Sequence, residues 1–269
     1  MSESITVGGL TLVAERPSSL VPARPPILFV PGYFAGAWVF ENYLGYFASR
    51  GHPCYALNLR GRGGSALPSG TRLGEASIGD FVDDASAVSQ WLQRPIVVGH
   101  SMGGLIAQKL AERDEVLAAV LVAPAPPRGI SLLTPRLALK QLRYLPAILR
   151  SREVAPRWRD FRDVVLSGVP EAEQRGIFDQ VVPDSGRAGR EMNFGRVRVD
   201  ETKVTCPVFV VGADDDRFIP RRVIERVATK YRAPLYLARG HGHFLVAEPG
   251  WQTIAADVAD WIERHVTAS

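Results

Sequence analysis

Cysteine is scarce in this sequence: Cys54 and Cys206 are the two cysteines in 269 residues, and they lie far apart without a CxxC pair. A disulfide framework and a cysteine-rich zinc site are therefore excluded, and the composition fits a reducing compartment. A large excess of charge of one sign is also missing, because the chain has 32 Lys and Arg and 28 Asp and Glu. The net charge of +4 is too small and too dispersed to indicate nucleic acid as a partner.

Long apolar runs are absent as well. No stretch approaches the roughly 20 residues of a membrane span, and residues 1–16 contain an early acidic residue but no apolar segment of a signal peptide. We therefore expect a cytoplasmic protein without stable membrane association. A chain of this length buries roughly three quarters of its unfolded surface, so it can form one large α/β domain or a core that carries an insertion.

Short apolar segments bounded by Gly or Pro alternate with segments of helical period. The apolar segments predict buried parallel strands, at residues 26–30, 54–59, 95–98, 118–123, 207–211 and 234–238. A hairpin is predicted at residues 5–14 around Gly8-Gly9. The helical period predicts helices, at residues 77–92, 105–113, 220–231 and 251–266. Such alternation is typical of an α/β fold with a doubly wound, mostly parallel sheet.

Two of these helices carry start signals. Ser77 and Asp80 have capping-box spacing. Pro220 is predicted at the first helical position of its helix.

One region interrupts the alternation. Residues 124–200 contain no convincing strand but several helical, arginine-rich segments, such as 137–149 and 157–166. This region holds 14 Lys or Arg against 9 Asp or Glu, whereas the rest of the chain holds 18 against 19. Arginines on short helices are ordinarily a solvated face; the functional alternative is a lid that favours anionic substrates. We expect a core of residues 1–125 and 201–269, with residues 126–200 as a helical insertion.

The sharpest motif is GHSMGG at residues 99–104, directly after the predicted strand 95–98, and it fits G-x-S-x-G. A serine hydroxyl needs a base to remove its proton and must stand clear of neighbouring side chains. A tight turn from strand to helix gives that exposure, and Gly99 and Gly103 remove Cβ atoms that would clash. The pentapeptide alone is common, but the strand before it and the helix after it favour Ser101 as a nucleophile.

A serine nucleophile needs a base, and the chain contains five histidines. His100 adjoins the serine on a tight turn and is expected to be structural, His52 precedes a strand, and His265 lies near a helix C-terminus, where a cation suits the dipole. The remaining pair, His241 and His243, follows the last predicted strand. A His-x-His pair can also bind a metal, but no further ligand cluster supports that interpretation, so no metal site is expected.

Three adjacent acids, Asp214, Asp215 and Asp216, follow the predicted strand at residues 207–211. Adjacent acids outside a strand ordinarily form a solvated turn. At the carboxyl end of a strand in an open α/β sheet, where sites collect, one of them is a candidate to orient the histidine.

Together, residues 99–104 (GHSMGG), 216–220 (DRFIP) and 242–244 (GHF) resemble the nucleophile elbow, acid turn and histidine loop of the α/β-hydrolase fold superfamily. The resemblance covers essentially the whole chain, and the insertion falls where that family carries its helical cap. In the family the acid commonly stands four residues before a proline, and the histidine commonly lies between a glycine and an aromatic residue. The resemblance therefore implies three catalytic residues, in the family's chain order: Ser101, Asp216 and His243.

The oxyanion hole of this family combines two backbone N–H groups. The resemblance implies those of Met102 and of Tyr33, the latter in the loop of residues 31–38 after the first core strand. That loop resembles the family's His-Gly-x loop, with Pro31 in place of the usual histidine. Asn58 is a second departure, since many members have aspartate before the following glycine-rich turn.

A second glycine-rich motif resembles a dinucleotide-binding site, but its surroundings do not fit one. Residues 61–66 (GRGGSA) follow a predicted strand and fit G-x-G-x-x-A. A dinucleotide site also needs this motif to open a helix, and the sequence Leu-Pro-Ser-Gly at residues 67–70 makes a helix improbable there. No cofactor is therefore expected.

The resemblance implies a serine hydrolase that cleaves a small-molecule carboxylic ester through an acyl-enzyme on Ser101. Thioester, lactone and C–C bond hydrolysis and a cofactor-free perhydrolase reaction remain open on the same triad. A serine at position 101 speaks against haloalkane dehalogenases and epoxide hydrolases, which have aspartate there. A non-catalytic ligand-binding protein of this fold is a further alternative, against which the complete triad argues. No amphipathic anchor in the sequence demands a lipase that acts at a lipid surface.

The insertion is expected to close over Ser101 and to line an apolar acyl pocket. Its apolar positions run through residues 137–149 and include Leu142 and Leu145. From the core, Phe34 and Phe244 are expected to complete the pocket. Arginines at the rim would add a preference for substrates that carry a carboxylate.

Overall fold

The computed structural model describes residues 2–18, 22, 24–132, 139–140 and 142–266. Its strands are, in chain order, β1 (Glu3–Val7), β2 (Leu10–Glu15), β3 (Ile27–Val30), β4 (Cys54–Leu57), β5 (Ile96–His100), β6 (Ala118–Val122), β7 (Glu153–Val154), β8 (Asp184–Ser185), β9 (Val208–Ala213) and β10 (Leu235–Ala238). Eight of them form one sheet in the order β1-β2-β4-β3-β5-β6-β9-β10. Neighbours from β4 to β10 pair in parallel, and β2 joins both β1 and β4 antiparallel. The predicted doubly wound, mostly parallel sheet is thus confirmed.

The helices of the described residues include α1 (Glu41–Ala48), α2 (Ile78–Trp91), α3 (Met102–Glu112), α4 (Leu145–Leu149), α5 (Trp158–Val164), α6 (Glu171–Phe178), α7 (Gly186–Asn193), α8 (Arg221–Tyr231) and α9 (Trp251–His265). Short 3₁₀ helices lie at Ala37–Phe40, Leu73–Glu75 and Glu201–Lys203. The predicted strands and core helices are present, with ends that differ by a few residues.

Alternation along the strands puts helices on both faces of the sheet. Leu28 and Val97 pack in one buried cluster with α2, α3 and α8, while Phe29 and Val98 pack in a second with α1 and α9. Because successive side chains of a strand point to opposite faces, apolar residues at every position require cover on both sides. This layering leaves the carboxyl ends of the strands for loops and for the insertion.

Local sequence signals set the start of α2. The hydroxyl of Ser77 accepts a hydrogen bond from the Asp80 amide, and the Asp80 carboxylate accepts one from the Ser77 amide, as the capping box predicts. Pro220 differs from its prediction: it is the N-cap of α8, and Arg221 is the first helical residue.

The insertion differs from its predicted pattern in two places. The predicted helix over residues 137–149 is helical at residues 139–140 and at Leu145–Leu149, and residues 142–144 form a turn; residues 133–138 and 141 lie outside the described residues. The expectation of no strand is wrong, because β7 and β8 pair antiparallel. Strands of two residues are too short to leave an alternating pattern in a sequence.

The search for membrane-spanning helices covered the described residues, and none of those helices is long and apolar enough to cross a membrane.

Candidate active site

Ser101 lies at a sharp turn between β5 and α3. Its backbone has φ 55° and ψ −116°, a conformation that costs a non-glycine residue energy and lifts its side chain out of the turn. A Cβ atom on Gly99 would overlap the carbonyl of Gly103, and one on Gly103 would overlap the carbonyl of Val30. The two glycines therefore allow this close strand-to-helix turn.

His243 joins the serine to an acid. Its Nε2 lies 3.0 Å from Oγ of Ser101, and its Nδ1 lies 2.8 Å from Oδ2 of Asp216. All three side chains are buried. Because an ionised carboxylate only accepts hydrogen bonds, Nδ1 carries the proton and Nε2 is free to accept the serine proton. This is the arrangement of a nucleophile, a base and the group that orients the base.

The three adjacent acids lie in different surroundings. Oδ1 of Asp216 accepts hydrogen bonds from the amides of Phe218 and Ile219, at 2.7 and 2.8 Å, so its second oxygen is aimed at the histidine. Asp214 instead accepts from the amide of Gly240 at 2.7 Å, and Asp215 is exposed. The structure therefore brings one of the three acids, Asp216, to the histidine.

His100 and His241 lie beside the triad without joining it. Nε2 of His100 contacts the carbonyl oxygen of His243 at 2.9 Å, and burial together with the neighbouring His243 lowers the pKa of His100 to about 3. His241 faces Glu248, with Nδ1 3.3 Å from a carboxylate oxygen. Among the described residues, no group of three or more His, Cys, Asp or Glu side chains is arranged to hold a metal ion.

The two amides that the resemblance implies for the oxyanion hole belong to residues beside Ser101. Met102 begins α3, so its N–H belongs to the first turn, where a helix leaves amides without an intrahelical acceptor. Tyr33 follows Gly32, at which a Cβ atom would come within 3.1 Å of the Ser101 Cβ. Within the described part of the chain, neither the Tyr33 nor the Met102 amide donates a hydrogen bond.

A cavity of about 150 Å³ opens beside Ser101 and His243, lined by the core and by the insertion. Phe34 and Phe244 are in its wall, where they were expected. Apolar side chains from both parts of the chain form most of the lining, among them Trp38, Leu132, Ile148, Val154, Phe161, Val164, Val165, Met192 and Phe218.

The structure does not place Leu142 and Leu145 in the cavity wall. Leu142 is 60% exposed in the turn before α4, and Leu145 begins α4, outside the described lining; Ile148, one helical turn later, reaches the cavity instead. Arginine is absent from the lining residues described here, and the cation there is Lys140. Its ammonium lies 3.7 Å from Asp160 and 3.3 Å from Asp163. The same two carboxylates also pair with Arg143 and Arg162, at 3.1 and 2.9 Å.

Comparison with known proteins identifies the family. The sequence profile of the alpha/beta hydrolase family matches residues 27–256, which is most of the chain. The chain belongs to the α/β hydrolase family. A search of curated proteins finds no match.

Solved structures agree with this α/β hydrolase fold at low sequence identity. A membrane phospholipase A shares 21% identity with a TM-score of 0.73, over 100% of this chain and 87% of the other. A thermophilic esterase from Thermogutta terrifontis shares 17% with a TM-score of 0.71, over 99% and 100%. An N-acyl homoserine lactonase complexed with N-butanoyl homoserine shares 18% with a TM-score of 0.74, over 100% and 98%. Likeness at this level of identity establishes the fold.

The glycine-rich motif of residues 61–66 lacks the helix that a dinucleotide site requires after it. Residues 61–66 form turns, and no helix starts there. The motif instead carries Arg62, whose side chain is fully buried in this α/β hydrolase and reaches the loop that contains Tyr33.

Sequence reasoning missed Glu248 as well as Arg62 and its ion-pair partner Asp184. The Glu248 carboxylate accepts hydrogen bonds from the amides of Gly242 and Phe244, at 2.7 and 3.1 Å, so it supports the histidine loop from both sides of His243. Burial raises the pKa of Glu248, which those hydrogen bonds oppose. No local motif marks Glu248, because its role appears only in the hydrogen bonds that the folded loop makes.

Proposed function

We propose that this α/β hydrolase is a serine esterase that cleaves carboxylic esters of small molecules through an acyl-enzyme on Ser101. The observation that carries the proposal is the contact of one imidazole with two partners. Its Nε2 is 3.0 Å from the Ser101 hydroxyl and its Nδ1 is 2.8 Å from Asp216. Such a chain of contacts activates a serine that is otherwise a weak nucleophile.

In the first half-reaction, Oγ of Ser101 attacks the ester carbonyl carbon while Nε2 of His243 takes the hydroxyl proton. The carbonyl oxygen becomes an oxyanion, which the amides of Tyr33 and Met102 stabilise. The C–O bond to the alcohol then breaks, and the alcohol leaves with the proton that the imidazole held. The acid part of the ester remains bound to the serine.

In the second half-reaction, water attacks the acyl carbon and gives its proton to His243. The tetrahedral intermediate expels Oγ of Ser101, which recovers the proton, and the carboxylic acid is released. Asp216 stabilises the imidazolium in both halves without taking the proton itself.

The apolar cavity supports an acyl group that carries no charge. Its volume is about 150 Å³, and an apolar cavity of about that size holds a benzene-sized group. We therefore expect acyl chains of roughly four to six carbons to be preferred over acetyl, because each buried methylene contributes about 0.8 kcal/mol.

A fluorophosphonate probe tests the proposal, because it phosphonylates an activated serine and releases fluoride. We expect the wild-type protein to be labelled and to hydrolyse p-nitrophenyl butyrate, and Ser101→Ala to lose both properties. Ser86→Ala is the matched control, since Ser86 is also buried but lies on α2, and it should keep both. Labelling that survives in Ser101→Ala would contradict the assignment. A wild-type protein inert toward the probe and toward esters, thioesters and lactones would favour a binding protein.

A further inference from the structure

Arg62 and Asp184 form an ion pair that is fully buried on both sides. Nη2 of Arg62 lies 2.6 Å from Oδ1 of Asp184, and both side chains have 0% exposure. Arg62 belongs to the turn after β4 in the core, whereas Asp184 begins β8 in the insertion. Because desolvating two charges is costly, a buried ion pair often adds little to the stability of a fold. We therefore ask what else the pair does.

Oδ1 of Asp184 also accepts from the amide of Ser185 at 2.7 Å. Three further hydrogen bonds of the pair reach one loop, residues 32–35. Nη1 of Arg62 donates to the carbonyl oxygens of Gly32 and Ala35, each at 3.0 Å. Oδ2 of Asp184 accepts from the amide of Phe34 at 2.7 Å. The ion pair therefore binds this loop on both sides of Tyr33.

One of these contacts fixes the direction of the Tyr33 amide. The Gly32 carbonyl and the Tyr33 N–H belong to one planar trans peptide, in which the two groups point in opposite directions. Arg62 holds that carbonyl, so the Tyr33 N–H is turned the other way. An oxyanion donor is effective only when its direction is set before the reaction.

The loop also has a conformation that needs support. Phe34 has φ 68°, in the left-handed region that non-glycine residues rarely adopt. The amide of Phe34 donates the hydrogen bond that the Asp184 carboxylate accepts. The Tyr33 hydroxyl donates to the carbonyl of Ser185 at 2.5 Å. The amide of Val182 also donates to the carbonyl of Phe34 at 3.1 Å, so the insertion contacts this strained residue on both its N–H and its C=O.

We propose that Arg62 and Asp184 are positioning residues for the oxyanion hole, so that the insertion completes the hole through Asp184. This inference rests on the proposed serine-esterase function. It extends that function by making catalysis depend on a contact between the core and the insertion. It also assigns to Arg62 the role of supporting a loop that has Pro31 where the family commonly has histidine.

The double variant Arg62→Met/Asp184→Leu tests the proposal. Removing both charges together and filling the space with apolar groups commonly leaves a fold stable, whereas removing one partner does not. We expect kcat for p-nitrophenyl butyrate to fall by about 100-fold, the effect of losing one oxyanion donor. KM should change little, because the donor acts mainly in the transition state. A trifluoromethyl ketone, which forms a tetrahedral oxyanion with the serine, should bind weaker by a similar factor.

The control is a second ion pair from the same turn. Arg60 contacts Asp84 at 2.7 Å, and Asp84 is buried on α2, but neither side chain contacts residues 32–35. Arg60→Met/Asp84→Leu should therefore keep the wild-type kcat and the wild-type affinity for the ketone. Thermal unfolding of both double variants reports whether each is folded.

A folded Arg62→Met/Asp184→Leu variant with the wild-type kcat and ketone affinity would overturn the proposal while leaving the esterase assignment intact. A wild-type protein without activity toward esters or the fluorophosphonate would overturn both. If the double variant does not fold, Arg62→Lys replaces it, because an ammonium keeps the charge pair but not the planar contacts to two carbonyls. An unchanged kcat in Arg62→Lys would then overturn the proposal.

Discussion

Asp216 differs from its two acidic neighbours in what its oxygens contact. Two amides hold Oδ1, and Oδ2 faces Nδ1 of the histidine. We expect Asp216→Asn to lower kcat by about 10⁴-fold, since an amide at this position favours the wrong tautomer of the imidazole. The measurement is steady-state hydrolysis of p-nitrophenyl butyrate, with circular dichroism to show that the fold is kept.

Asp215→Asn is the matched control, because it removes the same charge from the adjacent residue, whose side chain is exposed. It should hydrolyse the ester at nearly the wild-type rate. If Asp215→Asn proved the damaging substitution and Asp216→Asn the harmless one, the acid would have been assigned to the wrong residue.

At the residue scale, what the sequence predicts depends on how local the signal is. Ser101 stands in a motif of adjacent residues. For the histidine and the acid, the residues alone leave His241 or His243 and one of three aspartates, and the resemblance to the α/β-hydrolase family implies His243 and Asp216. Arg62 and Asp184 are 122 positions apart, and neither has a neighbour that marks it. Their role depends on which segments the fold brings together, which no local pattern contains.

Helix α4 brings one apolar side chain to the cavity. Ile148 is buried and lines the cavity, whereas Leu149, the next residue, is 51% exposed. We expect Ile148→Ala to shift the kcat/KM profile toward acyl chains about two carbons longer, because each added methylene that finds space contributes about 0.8 kcal/mol. The profile is measured with p-nitrophenyl esters from acetate to decanoate.

Leu149→Ala makes the same kind of truncation on the same helix without touching the cavity. Its chain-length profile should match that of the wild type. A folded Ile148→Ala variant with the wild-type profile would show that this wall does not limit the acyl chain.

At the element scale, core strands and helices could be predicted because each carries a period or an apolar run of sufficient length. The capping box at Ser77 also sets a helix start correctly. The insertion is less predictable, since its helices are short and β7 and β8 have two residues each. Tertiary contacts rather than local propensity decide where such short elements form.

At the scale of the whole molecule, the candidate site is shared between distant parts of the chain. Ser101, Asp216 and His243 lie in the loops at the carboxyl ends of β5, β9 and β10. The cavity wall adds residues of the insertion such as Phe161 and Met192. The alternation of strands and helices could predict the sheet and the edge at which a site forms. It could not predict which insertion residues face that edge, because their orientation depends on how the insertion packs.

If Ser101 carries the acyl group during turnover, a slowly hydrolysed acyl analogue will remain attached to it and can be located by mass spectrometry. The protein is mixed with p-nitrophenyl N,N-dimethylcarbamate, whose carbamoyl group leaves a serine slowly, and is then digested and mapped. We predict release of one p-nitrophenol per protein molecule and a dimethylcarbamoyl group on the peptide that contains Ser101, with neither in Ser101→Ala. A carbamoyl group on another residue, or ester hydrolysis that persists in Ser101→Ala, would show that Ser101 is not the acyl carrier.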